Sequence, residues 1–299
     1  MQKNKYVFLG ETNSINIEII LKSFSIIKNK YIVIGSINEI KNYKKKFKSN
    51  IEINEIFDPY DFDNLNPKKL NVFNSNIGRN KYEKMINQIS LSNKLAKETG
   101  FDLVTMPIDK SLFKKSQKFN GLTEYFGKLN RKKTIMMMVG EVFSIIPITT
   151  HISIKSLKSV LTKKKINLFF KHFYNLQSRD FFLKKYKKIN VLYLNPHCGE
   201  GGTYSKDDIN INNLIYKNGF KSFTQLSSDS AFKNIKKNTL YISCYHDQAL
   251  IPFKIINKKS LNYTLGLDYR RISPAHGTAK NIKFKNKADN SSYIACMEF

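Results

Sequence analysis

The 299 residues are 41% hydrophobic and 25% charged, enough apolar material for one large domain or two ordinary ones, which excludes general disorder. No apolar run reaches the ~18 residues of a membrane helix, and the opening from Met1 to Tyr6 lacks the apolar core of a signal peptide. Three cysteines, an odd number in a long chain, argue against a disulfide framework and for a reducing cytoplasm.

The outlying quantity is charge: 51 basic residues against 23 acidic ones give +28. Such a surplus points first to nucleic acid, but its make-up argues otherwise. Only Arg79, Arg131, Arg179, Arg270 and Arg271 are arginine; the other 46 basic residues are lysine. Arginine supplies the bidentate base and phosphate contacts. The lysines are spread along the chain among Asn and Ile, densest at Lys44 to Lys48, Lys163 to Lys165 and Lys184 to Lys188. Two readings stand: compositional drift on a solvated surface, or a polyanion-binding surface.

In chain order, Tyr6 to Leu9 reads as a strand, Ser14 to Ile27 as a helix and Tyr31 to Gly35 as a strand. Lys81 to Glu98 reads as a helix, Asp102 to Pro107 as a strand, and Phe143 to His151 as an apolar run rich in Ile and Thr. Ile154 to Phe169 reads as an amphipathic helix; Asn190 to Leu194 and Thr239 to Tyr245 read as buried strands. Strand–helix alternation argues for an α/β protein with a largely parallel sheet. The length suggests two α/β lobes around a cleft. The first lobe is expected over 1–115 plus 276–299, the second over 116–275.

Three of five histidines close apolar runs: His151 after FSIIPITT, His197 after NVLYLNP and His246 after TLYISCY. In open α/β folds, sites form beyond the carboxyl ends of the strands. Three neutral imidazoles delivered there, with an open position, describe a catalytic metal site. The alternative is that each histidine caps a strand and bonds to loop backbone. Asp247, beside His246, either orients an imidazole and moves a proton or caps a helix. A glycine-rich turn, Cys198-Gly199-Glu200-Gly201-Gly202, follows His197, and no G-x-G-x-x-G or P-loop motif occurs.

The blocks NPHCGEGG, YHDQALIPFK, NYTLGL with its following arginine, and SPAHGTA resemble signature blocks of the 4-hydroxythreonine-4-phosphate dehydrogenase family, which has an isocitrate/isopropylmalate dehydrogenase-like fold of two α/β/α lobes around a cleft. Met106-Pro107-Ile108-Asp109-Lys110, then Gly121-Leu122-Thr123-Glu124, and Thr149-Thr150-His151-Ile152 resemble further blocks, in order. The resemblance implies an oxidoreductase of pyridoxine and pyridoxal phosphate biosynthesis. Its reaction is the NAD-dependent oxidation and decarboxylation of 4-phosphohydroxy-L-threonine to 3-amino-2-oxopropyl phosphate, with NADP as a possible substitute for NAD. It implies one divalent metal (zinc, magnesium, manganese or cobalt) on His151, His197 and His246, in a cytoplasmic homodimer whose sites are completed across the interface. Substrate contacts fall on Thr123, Lys254, Asn262 and Arg271, and catalytic carboxylates on Asp247 and Asp229. It implies no specific nucleic-acid partner and no membrane. The alternatives are a related dehydrogenase for another phosphorylated or carboxylated hydroxy acid, and a non-catalytic polyanion-binding relative.

The chain departs from the family pattern in places. Leu122 stands where the family has a substrate-contacting histidine, and leucine makes no hydrogen bond. Loss of one such contact to phosphate costs about 1.5–3 kcal/mol, roughly tenfold to a hundredfold in binding. The glycine- and proline-rich opening is reduced to Gly10 to Glu18, with its middle replaced; Ala249 and Ala275 replace a Gly and an Asp, and Phe299 falls inside the expected final helix. Cys198 and Cys244 lie near two of the histidines but are not expected to be ligands, His172 has no assigned role, and His276 is a weak candidate for lining the nucleotide site.

Overall fold

The computed structural model describes residues 4–113, 119, 121–219 and 223–299. The chain divides into two compact units. One runs to Thr134 and resumes at Leu261–Phe299; the other is Ile135–Ser260.

The first unit begins with β1 (Lys5–Phe8), α1 (Asn16–Ser23), β2 (Tyr31–Gly35) and α2 (Ile37–Phe47). It continues with β3 (Ile53–Ile56), β4 (Leu70–Asn74), α3 (Lys81–Thr99), β5 (Asp102–Thr105) and α4 (Leu122–Leu129). The second unit holds β6 (Ile135–Gly140), β7 (Phe143–Pro147), α5 (Ile154–Val160), α6 (Lys163–Arg179) and β8 (Lys188–Leu192). It then adds α7 (Asp207–Lys217), β9 (Phe223–Leu226), β10 (Thr239–Ser243) and α8 (His246–Ile256). The chain returns to the first unit with β11 (Ser260–Leu265), β12 (Arg271–Pro274) and α9 (Ser291–Glu298).

In the first unit the strand order is β3-β4-β2-β1-β5-β12-β11. All neighbours are parallel except the β11–β12 hairpin. The strands β1 and β2 are buried along their whole length, as unbroken apolar runs covered on both faces must be. Tyr6, Phe8, Ile32, Ile34, Leu103 and Phe126 share one core cluster. The second unit has the order β6-β7-β10-β8-β9, parallel except for the β6–β7 pair.

The units divide later than residue 115 and earlier than residue 275, so the expected lobe boundaries are corrected at both crossings. Two packing events explain this. The helix α4 drives Phe126 into the first unit's core, and β12 pairs with β5 through Arg271↔Leu103 and Ile272↔Val104. Thr123, Asn262 and Arg271 therefore belong to the first unit, and the candidate metal histidines to the second.

Local chemistry trims two expected helices. Ser14 Oγ accepts from Asn16 N at 3.0 Å, so α1 starts two residues late. The stretch expected as one helix over Ile154 to Phe169 breaks at Thr162, whose Oγ1 accepts from Lys165 N at 3.2 Å and caps a new helix. No helix of the described residues is long and apolar enough to cross a membrane.

Candidate active site

The strands β7, β10 and β8 lie side by side and parallel, with Pro147 opposite Ser243 and Ile242 opposite Val191. Parallel strands end on one edge, so the residues just past them collect there. His151 is four residues past the end of β7, His246 three past β10, and His197 five past β8. Two hydrogen bonds stitch the first two ends: Ile148 N to Ser243 O at 2.7 Å and Thr149 Oγ1 to Cys244 O at 2.6 Å. The His151 and His246 rings approach to 5.8 Å between centroids, tilted by 36°.

Asp247 does not cap its helix. The cap of α8 is Tyr245, and Asp247 lies in the first turn, where its charge suits the helix dipole. Its Oδ1 is 2.6 Å from His246 Nδ1. A carboxylate on Nδ1 fixes the tautomer and leaves Nε2 for coordination.

His197 opens a left-handed turn. Residues 197–201 all have positive φ, from 44° to 69°. Each non-glycine residue there costs about 1–2 kcal/mol, which Gly199 and Gly201 partly relieve. A Cβ at Gly199 would meet Ser205 O at 2.8 Å. The buried carboxylate of Asp208 anchors the approach by accepting from Leu194 N at 2.7 Å and Asn195 N at 3.2 Å. Asp229 has its carboxyl held below the usual carboxylate range, first by the Ser227 hydroxyl at 2.5 Å and to a lesser degree by His197. Among the described residues, no three or more His, Cys, Asp or Glu side chains form a metal-holding group. The ring contact seen there joins His151 and His246.

Burial pushes the Cys244 thiol up to about 12 and also raises that of Cys198. The sequence reading assigned nothing to Gln248, yet it ties the strand ends together. Its Oε1 accepts from Cys244 N at 3.2 Å, and its Nε2 donates to Ser228 Oγ at 2.6 Å and to Tyr193 O. Its place after His246 and Asp247 was the only available signal. Lys254 is exposed on α8.

A second cluster lies within the first unit. Arg271 is 1% exposed, and its Nη1 donates to Thr264 Oγ1 at 2.9 Å and Thr123 Oγ1 at 3.3 Å, its Nη2 to Thr105 Oγ1 at 2.5 Å. Its plane lies over the Phe126 ring at 5.2 Å, and its Nε has no partner. Burial lowers its pKa to about 10, so it stays charged at neutral pH. Thr264 opposes Arg271 and Asn262 opposes Ser273 across the β11–β12 hairpin, and the period of two puts Asn262 and Thr264 on one face. Asn262 Oδ1 is buried without a partner. Thr123, Asn262 and Arg271 are therefore placed on neighbouring elements. Leu122 packs against the apolar core and adds no polar group. His276 Nδ1 lies 2.9 Å from Gly277 O, and burial lowers its pKa.

Residues 18–299 match the family model described as pyridoxal phosphate biosynthetic protein PdxA. The 4-hydroxythreonine-4-phosphate dehydrogenase of Sulfurihydrogenibium sp. (strain YO3AOP1) is 30% identical over 98% of this chain and 95% of its own. That of Campylobacter fetus subsp. fetus (strain 82-40) is 32% identical over the same shares. The crystal structure of the Klebsiella pneumoniae enzyme of that name superposes with a TM-score of 0.82 at 24% identity, covering 100% of this chain and 97% of that one.

Proposed function

The chain belongs to the pyridoxal phosphate biosynthetic protein PdxA family, and we propose that it oxidises and decarboxylates 4-phosphohydroxy-L-threonine to 3-amino-2-oxopropyl phosphate with NAD, or NADP in its place. The observation that supports this best is the His151–His246 pair with Asp247 on the Nδ1 of His246. Imidazoles each offering one nitrogen fit a divalent ion, and zinc, magnesium, manganese and cobalt all accept them. His151, His197 and His246 would hold it in a homodimer whose second copy completes each site. Such an ion, when bound, supplies the positive charge that acidifies the substrate hydroxyl and stabilises the negative charge left by decarboxylation.

The chain's residues do the rest. Arg271 and Lys254 bind the anionic groups, a planar fork and a point charge. Thr123 and Asn262 orient the substrate. Asp247 or Asp229 takes the hydroxyl proton while the hydride leaves carbon for the nicotinamide. The new ketone lies β to the carboxylate, so carbon dioxide departs next.

The test is NADH formation from 4-phosphohydroxy-L-threonine, with and without a chelator, in the native chain and in His197→Ala. Turnover lost to both the chelator and the substitution is expected. Activity retained in His197→Ala would remove the metal assignment. One observation favours a second reading: Leu122 packs on apolar core where the family has a histidine. That reading is a related dehydrogenase for another phosphorylated hydroxy acid, and turnover of such a compound alone would establish it.

A further inference from the structure

A primary amide has two hydrogens to donate and two lone pairs to accept with, and the side chain of Gln248 uses all four. Its Oε1 accepts from Cys244 N at 3.2 Å and from Tyr245 N at 3.4 Å. Its Nε2 donates to Ser228 Oγ at 2.6 Å and to Tyr193 O. These partners belong to three segments of the second unit: the end of β10, the end of β8 and the turn after β9. Each segment leads to a residue of the candidate site. The β10 end runs into His246 and Asp247, the β8 end into His197, and Ser228 precedes Asp229.

Strand pairing stops short of these residues. The β8–β10 register ends with Val191 opposite Ile242, and the β8–β9 register with Leu192 opposite Leu226. One backbone bond continues it, from Tyr193 N to Leu226 O at 3.1 Å. Side chains carry the linking from there. Ser228 Oγ donates to the same Tyr193 O at 3.0 Å, so Gln248, Ser228 and Tyr193 close a triangle of hydrogen bonds. The two halves of the amide do different work. The accepted pair caps α8, since Cys244 and Tyr245 are the residues just before the helix. The donated pair does nothing for the helix, because Ser228 and Tyr193 lie 20 and 55 residues earlier. Gln248 and His246 also share the first turn of α8. The residue that grips the two distant segments is therefore fixed to the residue that opens the helix.

We propose that Gln248 is a positioning residue of the candidate site, whose two donated bonds set where the turns carrying His197 and Asp229 stand against the helix that begins with His246. This rests on the metal reading given above and adds to it a residue that touches neither metal nor substrate. Groups that orient metal ligands from behind typically carry roughly tenfold to a hundredfold in metal affinity.

The test titrates cobalt(II) into the full chain and its Gln248→Glu and Ser228→Ala variants, reading affinity by calorimetry and ligand geometry by visible absorption, beside the unfolding midpoint of each. Gln248→Glu keeps the length of the side chain and both accepted bonds, but its carboxylate has no hydrogen for Tyr193 O or Ser228 Oγ. Its added negative charge would by itself tighten cation binding. The expected result is nonetheless cobalt binding weakened roughly tenfold to a hundredfold, with an altered absorption band. Ser228→Ala removes one link and leaves the helix cap, so it should keep the native midpoint and weaken binding by less. Native affinity and absorption in Gln248→Glu, or in Ser228→Ala should the first variant not fold, overturn the proposal and leave Gln248 a helix cap. Tighter binding in Gln248→Glu, or losses confined to variants whose midpoint collapses, overturn it as well. A native chain that takes up no cobalt removes the metal reading and this inference with it, whereas a native chain that binds cobalt no better than its variants removes this inference alone.

Discussion

Arg271 is a buried cation whose described hydrogen bonds all go to threonine hydroxyls, while the Glu124 carboxylate acts on it through charge. Three threonine hydroxyls and an aromatic face surround it, and its Nε is unpartnered. Burying a charge on neutral dipoles is costly unless an anion completes the set. The hydroxyls do not depend on the guanidinium, since Thr123 and Thr264 bond each other at 3.4 Å and Thr105 reaches Ile272 O at 3.4 Å. Arg271→Met should therefore leave the unfolding free energy unchanged or raised, because replacing a buried charge with an apolar side chain is often neutral to stabilising. The same variant should raise the KM for the phosphorylated substrate tenfold to a hundredfold, about 1.5–3 kcal/mol of charged hydrogen bonding. Chemical denaturation and steady-state kinetics on one preparation check both halves. A loss of stability beyond about 2 kcal/mol, with KM unmoved, would assign Arg271 to the core alone.

At the scale of elements, the loop after β5 is clamped by a side-chain pair. Asp109 accepts from Lys280 and from Ser111 N at 2.9 Å, and Lys280 chiefly, then Ser111, lowers its pKa to about 2. Its folded value lies below the unfolded 3.8. The pair thus stabilises the fold above pH ~4 and loses that contribution as pH falls toward 2. Because Lys280 is solvated, water screens the pair and its contribution is small. Unfolding free energies measured from pH 5 to 2 should fall less steeply in Asp109→Asn; parallel curves would remove the clamp. Elements of this kind were unevenly legible. The strand β2 was readable to the residue because five apolar residues covered on both faces leave no other pattern. The placement of His151, His197 and His246 past strand ends was readable for the same reason, since parallel strands end together. The break at Thr162 was hidden because its cap lies inside an unbroken amphipathic pattern. The turn that carries His197 was hidden because a run of left-handed residues, only two of them glycine, has no reliable sequence signal. Arg271 was expected as a substrate contact, and only the register of β12 on β5 accounts for its burial.

At the scale of the whole molecule, +28 over 299 residues is a repulsive field. Charges on a lysine-rich surface repel one another over a Debye length of about 30 Å at 0.01 M salt and about 8 Å at 0.15 M. Salt should therefore relieve more repulsion in the folded chain, where the lysines are held close, than in the expanded unfolded chain. The pairs that salt weakens, such as Lys69–Glu52 and Lys132–Asp268, are solvent-exposed and contribute little each. The buried pair Lys5–Asp102 is shielded from it. The unfolding midpoint should rise between those two salt concentrations. DNA binding, if detected at the lower one, should vanish at the higher, because scattered lysines contact few phosphates at once. A midpoint that falls with salt would mean that exposed ion pairs outweigh the net charge. DNA binding that survives the higher salt would mean that the lysines form an organised surface.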